Sequence, residues 1–304
     1  MTSPVTSARF AHLVLWFNSR ETMYATNRAH RIALLLTVSA AISASLPATA
    51  IAQDRNAPID STHVSKTFFT RRDAYWALGA LAVTAGVSYY DKKVANWSQE
   101  PSVQGSQSRR DFFNATTHVN ETPLTLAALA TYVVGRVGRM NTVTDVGLHM
   151  TEAMVLTDVT SELIRGPVGR ARPRVSQNDQ YNFSFGKGFT VFANRSFPSL
   201  HSASAFAFAS SLTAEIHERN STAAWVVGPV LYSAAMIPGA TRVYLNQHWA
   251  SDIVSGAFVG TLFGVKVVHY AHTHRRTKLD RILLGTNFSV DPHGGMFVGA
   301  SFTP

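Results

Sequence analysis

The sequence contains no cysteine, which excludes a disulfide framework, a thiolate zinc site, an iron–sulfur cluster and a cysteine nucleophile. Charged residues are also scarce, at 15% of the 304 residues against about 25% in soluble domains. Mean hydropathy is only +0.03, below what a chain made mostly of membrane-spanning helices shows. The apolar share of 46% is ordinary and excludes a disordered chain. Catalysis must therefore rest on histidine, serine, arginine or carboxylates, and membrane association is allowed.

Residues 1–52 have the pattern of a secretory signal. A basic segment precedes an apolar stretch over residues 32–47, and Ala50-Ile51-Ala52 has the small-x-small pattern of a signal-peptidase site. Met23 makes a better start than Met1, because it leaves a short cationic segment before the apolar stretch. The alternative is a first transmembrane anchor. We expect an exported protein whose mature chain begins near Gln53.

A polar stretch over residues 53–72 is followed by apolar segments that polar turns separate. None of these segments shows the period-2 alternation of strands, so we expect helices. The predicted segments are Ala74–Tyr90, Thr122–Arg136, Thr144–Ile164, Ser199–Ile216, Ala223–Ile237 and Ser251–Tyr270. They predict an all-α catalytic domain over residues 73–280, folded as an antiparallel bundle of about six helices. Residues 281–304 alternate loosely around a turn sequence and predict a small C-terminal β-hairpin.

Residues suited to binding phosphate occur in three separated clusters. These are Arg165 with Arg172-Pro173, then Pro198-Ser199-Leu200-His201, then Thr241-Arg242 with His248 and Asp252. In an up-down bundle all three clusters lie at the same end. They predict one site with three guanidiniums, a helix N-terminus, two imidazoles and one carboxylate, which fits a tetrahedral oxyanion. Because no cluster of carboxylates or cysteines is present to hold a metal, arginines would meet the charge of a pentacovalent transition state.

The same residues resemble the three-part signature of the type 2 phosphatidic acid phosphatase (PAP2) superfamily, which includes bacterial class A acid phosphatases and vanadium haloperoxidases. The signature reads Lys, six residues, Arg-Pro; then Pro-Ser-Gly-His; then Ser-Arg, five residues, His, three residues, Asp. The resemblance covers roughly residues 70–272. This chain departs from the signature at Arg165 for Lys, Leu200 for Gly and Thr241 for Ser. A leucine at position 200 would be strained if that position needed a positive φ.

The resemblance implies a role for each residue of the signature. His248 is the implied nucleophile that forms a phosphohistidine, and Asp252 holds its tautomer. His201 is the implied acid that protonates the leaving oxygen and the base that then activates water. The residues implied to hold the phosphoryl oxygens are Arg165, Arg172, Ser199, Leu200 and Arg242. We expect a phosphatase for phosphomonoesters or diphosphates that needs no metal and no cofactor, with a phosphorylated lipid or a small phosphomonoester as its substrate.

Two alternatives use the same residues. A vanadium-dependent haloperoxidase would hold vanadate as its prosthetic group, whereas vanadate would inhibit a phosphatase. A soluble periplasmic acid phosphatase is favoured by the shortness of Ala74–Tyr90, which is 17 residues long. Against it, Gly256, Gly260 and Gly264 form the small-residue ridge common between membrane helices. We expect a membrane-integrated or membrane-bound bundle with a periplasm-facing site, and no nucleic-acid partner, because no basic and aromatic stripe is present.

Two groups of residues outside the signature also suggest binding. His269, His272 and His274 stand beside further basic residues, and they indicate a basic helix end near acidic head groups rather than a metal site. His149 and Glu152 are one helical turn apart, and they predict a buried polar pair in the third helix.

Overall fold

The computed structural model describes residues 67–274 and two strands at residues 286–290 and 296–300. The expected signal, the alternative N-terminal anchor and most of the polar stretch over 53–72 lie outside the described residues. The strands Thr286–Val290 and Met296–Ala300 pair antiparallel, with Phe288 opposite Val298, in the region where the sequence predicts a hairpin. The residues of the expected turn between them also lie outside the described part.

Ten α-helices form the described part of the chain from residue 67 to residue 274. In chain order they are α1 (Arg71–Ser88), α2 (Asp91–Ser98), α3 (Pro101–Gln104), α4 (Gln107–Thr116), α5 (Glu121–Val137), α6 (Asn141–Val168), α7 (Pro173–Ser176), α8 (Leu200–Arg219), α9 (Ser221–Tyr244) and α10 (Ala250–Thr273). Each predicted apolar segment lies largely within one of the long helices α1, α5, α6, α8, α9 and α10. The expected all-helical class is therefore confirmed for this region.

Polar residues fix where the long helices begin. The side chain of Asn120 accepts a hydrogen bond from the backbone N–H of Thr122 at 3.1 Å, and the side chain of Asn220 accepts one from Ala223 at 2.9 Å. Such caps satisfy amides that have no partner within the helix, and each contributes about 1 kcal/mol. Ser199 caps α8 in the same way, so a residue of the phosphatase-like signature also defines a helix start.

Glycines bring α10 close to α8, the central helix of the bundle. A Cβ atom at Gly256 would lie 2.4 Å from the Ser199 carbonyl oxygen, and one at Gly260 would lie 2.0 Å from the Ala203 carbonyl oxygen. Both distances are far below van der Waals contact, so any side chain at these positions would force the two helices apart. The ridge seen in the sequence is therefore a packing surface between α8 and α10.

Four helix ends meet at one end of the bundle. Helices α6 and α9 end there, and helices α8 and α10 begin there. The backbone N–H of Ser199 donates to the Asp252 carbonyl oxygen at 2.9 Å, which joins the starts of α8 and α10. We call this the motif end of the bundle, because it holds Arg165, Arg242 and these two residues. The opposite end of α6, α8 and α10 is called the far end.

Candidate active site

The three predicted clusters converge at the motif end through the loop before α8. The Arg165 guanidinium donates to the Arg195 carbonyl oxygen in this loop at 2.8 Å. The Ser196 carbonyl oxygen in the same loop lies 2.7 Å from Nδ1 of His248. Arg172 donates to the side chain of Gln247, beside His248, at 2.7 Å. Residues far apart in the chain are therefore in one site.

His248 lies in the turn between α9 and α10 and is only 2% exposed. Its Nδ1 atom is 2.7 Å from the Ser196 carbonyl oxygen but 3.5 Å from Oδ2 of Asp252. A carbonyl oxygen can only accept, so Nδ1 carries the proton and Nε2 keeps its lone pair. The resemblance assigns this orienting contact to Asp252. In the structure the Ser196 carbonyl makes it, and the carboxylate supplies negative charge nearby.

Asp252 is fully buried, and both of its carboxylate oxygens accept hydrogen bonds. Oδ2 accepts from the Ser196 hydroxyl at 2.5 Å and from the Trp249 backbone N–H at 2.8 Å. Oδ1 accepts from the Arg170 guanidinium at 2.7 Å. The carboxylate therefore holds the loop segment whose carbonyl orients His248, and it acts on the imidazole through Ser196 as well as through its charge.

Sequence reasoning missed Arg170 and Asp91, which support this network. Arg170 is 2% exposed and donates to Asp91 at 2.7 Å and to the Ser251 hydroxyl at 2.8 Å. Asp91 also accepts from the Ser251 backbone N–H at 2.8 Å. The one sequence signal for Arg170 is its position two residues before Arg172. Asp91 stands between two apolar segments, where an acidic residue ordinarily marks a solvated turn.

The three predicted phosphate-binding arginines are buried or half-buried with few acceptors. Arg165 pairs with Glu162 at 2.8 Å, and Arg172 lies over the Phe192 ring at 4.2 Å. Arg242 makes a long contact of 3.4 Å to the Thr117 carbonyl oxygen. The Nε atom of each arginine is buried and has no hydrogen-bond partner among the described residues. Because unsatisfied buried donors are costly, this arrangement calls for an anion.

Several pKa values in the site are lowered, and burial with the nearby arginines lowers that of His201 to about 2. Burial, and then the positive charges of Arg165 and other nearby arginines, lowers the pKa of Arg172 to about 10, so the guanidinium stays charged at neutral pH. Burial lowers the pKa of His248 to about 4, against the opposing effect of Asp252. The site therefore pairs a neutral imidazole with permanent positive charge.

His201 lies in the first turn of α8, where helix amides have no acceptor within the helix. Its Nδ1 atom is 3.6 Å from Oε2 of Glu121, and both atoms are buried without a hydrogen-bond partner among the described residues. Glu121 is the first residue of α5, and sequence reasoning did not identify it. Acidic residues are common in the first turn of a helix, so Glu121 did not stand out in the sequence as a candidate site residue.

Two departures from the superfamily signature have structural explanations. Leu200 is the first residue of α8 and is not among the residues with positive φ, so the expected strain is absent and the position accepts a side chain. The Thr241 hydroxyl donates to the Ile237 carbonyl oxygen at 2.9 Å and contacts the Thr116 hydroxyl at 2.7 Å. Thr241 therefore ties α4 to α9.

The two residue groups outside the signature lie away from this site. His149 hydrogen-bonds to Glu215 of α8. Glu152, the partner expected from the sequence, acts on His149 through its charge. His272 faces the same glutamate, His269 is exposed, and His274 stacks on Tyr270 with ring centroids 3.7 Å apart. The three histidines of the expected basic helix end therefore lie in three different environments at the far end.

Comparison with known proteins identifies the family of this region. Residues 147–276 match the PAP2 superfamily. The lipid A 1-phosphatase of Porphyromonas gingivalis is 42% identical over 74 residues, which are 24% of this chain and 15% of that relative. The crystal structure of a transmembrane PAP2-type phosphatidylglycerolphosphate phosphatase from Bacillus subtilis matches with a TM-score of 0.50 and 19% identity, over 69% of this chain and all of that one, and shows a shared fold. Residues 147–276 are therefore a PAP2 superfamily domain.

Proposed function

We propose that this protein is a phosphatase that removes phosphate from phosphorylated membrane lipids through a phosphohistidine at His248. The observation that carries the proposal is the set of three arginines with unpaired Nε donors beside a buried, neutral imidazole. Guanidiniums recognise phosphoryl oxygens, whereas they repel a metal ion. Catalysis therefore proceeds without a metal or an organic cofactor. The names of the two relatives, both phosphatases, support the same chemistry.

In the first step Nε2 of His248 attacks phosphorus in line with the leaving group. A P–N bond forms, the bond from phosphorus to the ester oxygen breaks, and His201 donates a proton to that oxygen. Arg165, Arg172 and Arg242 hold the other phosphoryl oxygens while negative charge redistributes over them. Arginine charge takes the part that metal ions have in many other phosphoryl-transfer enzymes.

In the second step water hydrolyses the phosphohistidine. His201, now neutral, accepts a proton from the water, whose oxygen forms the new bond to phosphorus. The P–N bond breaks, its electron pair returns to Nε2, and inorganic phosphate leaves. The Ser196 carbonyl holds Nδ1–H throughout. Without substrate, burial and then the nearby arginines lower the pKa of His201 to about 2. The negative charge of the bound phosphate, with Glu121 3.6 Å from Nδ1 of His201, would favour the protonated ring that donates the proton. Both histidines return to their initial states.

The outer surface of the bundle supports a membrane location. Helices Ser221–Tyr244 and Ala250–Thr273 are long and apolar enough to cross a bilayer, and only 28% of the most apolar window of the first is buried. Twenty-four residues span about 36 Å as a helix, more than the hydrocarbon core of about 30 Å. Trp225, Val226 and Val230 on this helix are each at least 67% exposed. Such a surface suits lipid rather than water.

We place the motif end outside the cytoplasm and the far end inside it. The far end carries Arg71 and Arg72, and the basic residues Arg275, Arg276 and Lys278 follow α10 in the sequence, which matches the positive-inside rule. Because the chain has no cysteine, single-cysteine labelling tests this directly. An impermeant maleimide added to intact spheroplasts should label Asn178→Cys at the motif end and leave Glu218→Cys at the far end unlabelled. The reverse pattern would contradict the orientation.

The substrate class is tested by phosphate release from purified protein in mixed micelles. We expect lipid phosphates such as lipid A 1-phosphate, phosphatidylglycerol phosphate and phosphatidate to be hydrolysed with higher kcat/KM than p-nitrophenyl phosphate. The membrane-facing surface would present the phosphate of an embedded lipid to the site. Equal kcat/KM for all four compounds would instead indicate a non-specific acid phosphatase. Halide oxidation with added vanadate and peroxide, without phosphate release, would overturn the phosphatase proposal.

A further inference from the structure

A second cluster of ionisable side chains lies at the far end of the bundle. Glu215 of α8 is fully buried, and it faces His149 of α6 and His272 of α10. From Ser199 to Glu215 the helix rises about 24 Å, so this cluster is on the opposite side of the domain from His248. It takes no part in the phosphatase chemistry.

The three side chains have the donor types and separations of a zinc site. One ligand atom from each lies within 4.8 Å of the other two. Two ligands at about 2.05 Å from a tetrahedral zinc are about 3.3 Å apart. Nε2 of His272 is 3.4 Å from Oε1 and 3.3 Å from Oε2 of Glu215. These distances are long for a hydrogen bond between nitrogen and oxygen, but they match that separation of ligands.

The charged groups around Glu215 are compatible with a bound cation. Arg219 binds Oε2 of Glu215, so Oε1 can take a metal while the guanidinium stays on the other oxygen. A partner of this kind commonly orients a ligating carboxylate. Two more carboxylates, Glu152 and Asp145, act electrostatically on His149.

We propose that His149, Glu215 and His272 bind one zinc ion, with water as a fourth ligand. The ion would join α6, α8 and α10 at the far end of the bundle. Binding moves Nδ1 of His149 away from its close contact with Oε1 to the distance of a second ligand. The side chains of His149 and His272 are 13% and 24% exposed, so the ion reaches the site from the aqueous side of the far end.

Zinc content of the purified protein tests this site without an activity assay. The full chain, purified in detergent through a tag that contains no histidine, is treated with EDTA, incubated with zinc and dialysed. Mass spectrometry should then find about one zinc per chain. His272→Ala and His149→Ala should reduce the content to background, while His269→Ala on the same helix should keep it. Zinc in none of these proteins, or equal zinc in all four, would overturn the proposal.

Two further measurements separate a lost ligand from a lost fold. Without metal, His272→Ala should unfold within about 2 °C of the metal-free wild type, because its side chain is partly exposed. Added zinc should raise Tm of the wild type and of His269→Ala but not of His272→Ala. Cobalt should give the visible absorption of a tetrahedral complex only in the proteins that keep His272. A zinc-induced shift of equal size in His272→Ala would contradict the assignment.

Discussion

The two ends of this helical bundle hold buried charge in opposite ways. At the motif end, the Nε atoms of Arg165, Arg172 and Arg242 have no partner among the described residues. At the far end, Glu215 is buried as completely as any residue, yet His149, His272 and Arg219 all contact its carboxylate. Unpaired donors at the motif end favour an anion, whereas at the far end two imidazoles and a carboxylate converge within the separation of metal ligands.

At the motif end, hydrogen-bond pairing rather than burial distinguishes the residues that can bind phosphate from those that hold the structure. Asp252 and Arg170 are as buried as the motif-end arginines. However, they hydrogen-bond to each other and to Ser196 and Ser251, so these groups are already engaged and are not offered to substrate. They position His248. Arg172 keeps an unsatisfied donor and stays charged, so it is available to phosphate.

The largest effect among the variants near His248 is expected from His201→Ala with an alkyl phosphate. Loss of the general acid should lower kcat by about 10²- to 10⁴-fold, because an alkoxide leaves poorly without a proton. The loss should shrink to about tenfold or less with p-nitrophenyl phosphate, whose leaving group needs little protonation. Steady-state kinetics with both substrates checks this, and equal losses for the two would refute the role of His201.

A smaller loss is expected from Arg172→Gln. Removing one guanidinium from the developing phosphoryl charge should lower kcat/KM by about 10²- to 10³-fold. Arg174→Gln is the matched control, since Arg174 is exposed two residues away, and it should stay within about twofold of the wild type. Similar losses in both variants would show that general surface charge, and not the motif-end pocket, attracts phosphate.

The pH dependence of His248 distinguishes it from an exposed histidine. Burial favours the neutral ring, so the imidazole should remain neutral as pH falls from 7 and become protonated only near its pKa of about 4. Nitrogen-15 NMR of histidine-labelled protein checks this, with His248→Asn assigning the His248 signal. A His248 signal that titrates at 6 or above would contradict the account of its burial.

The smallest effect on the reaction is expected from chelation. EDTA should lower Tm by removing zinc from the far end, while the initial rate of phosphate release at 25 °C stays within about twofold. Micromolar vanadate should still inhibit, because it occupies the arginine pocket as a trigonal-bipyramidal oxyanion. Activity that EDTA abolishes and magnesium restores would end the proposal of metal-independent catalysis.

The fold could be predicted from the sequence where apolar segments are long. Segments such as Ser251–Tyr270 have enough apolar residues to indicate a helix by themselves, and the structure extends this one to Ala250–Thr273. The short helices Asp91–Ser98 and Gln107–Thr116 were not predicted. Both are mostly polar and at most ten residues long, so they depend on contacts with the bundle rather than on a periodic apolar pattern.

The site could be predicted where residues are close in sequence. His248 and Asp252 share one turn of chain with fixed spacing, and the arginines belong to the same signature. The contact of Asp91 with Ser251 joins residues 160 positions apart, and no local sequence pattern predicts it. The Ser196 carbonyl that orients His248 is a backbone atom, which residue identity does not reveal. The sequence indicated His149 and His272 separately but not Glu215, because the three residues of the far-end cluster come from three helices.

Rapid-quench labelling with a phosphorus-32 lipid phosphate tests the central claim that His248 attacks phosphorus. The wild type should show a burst of acid-labile, base-stable labelled protein of about one phosphate per active site. His248→Ala should show no labelled protein with any leaving group, while His201→Ala should accumulate label with a good leaving group because water is activated slowly. A normal burst of labelled protein from His248→Ala would contradict the account.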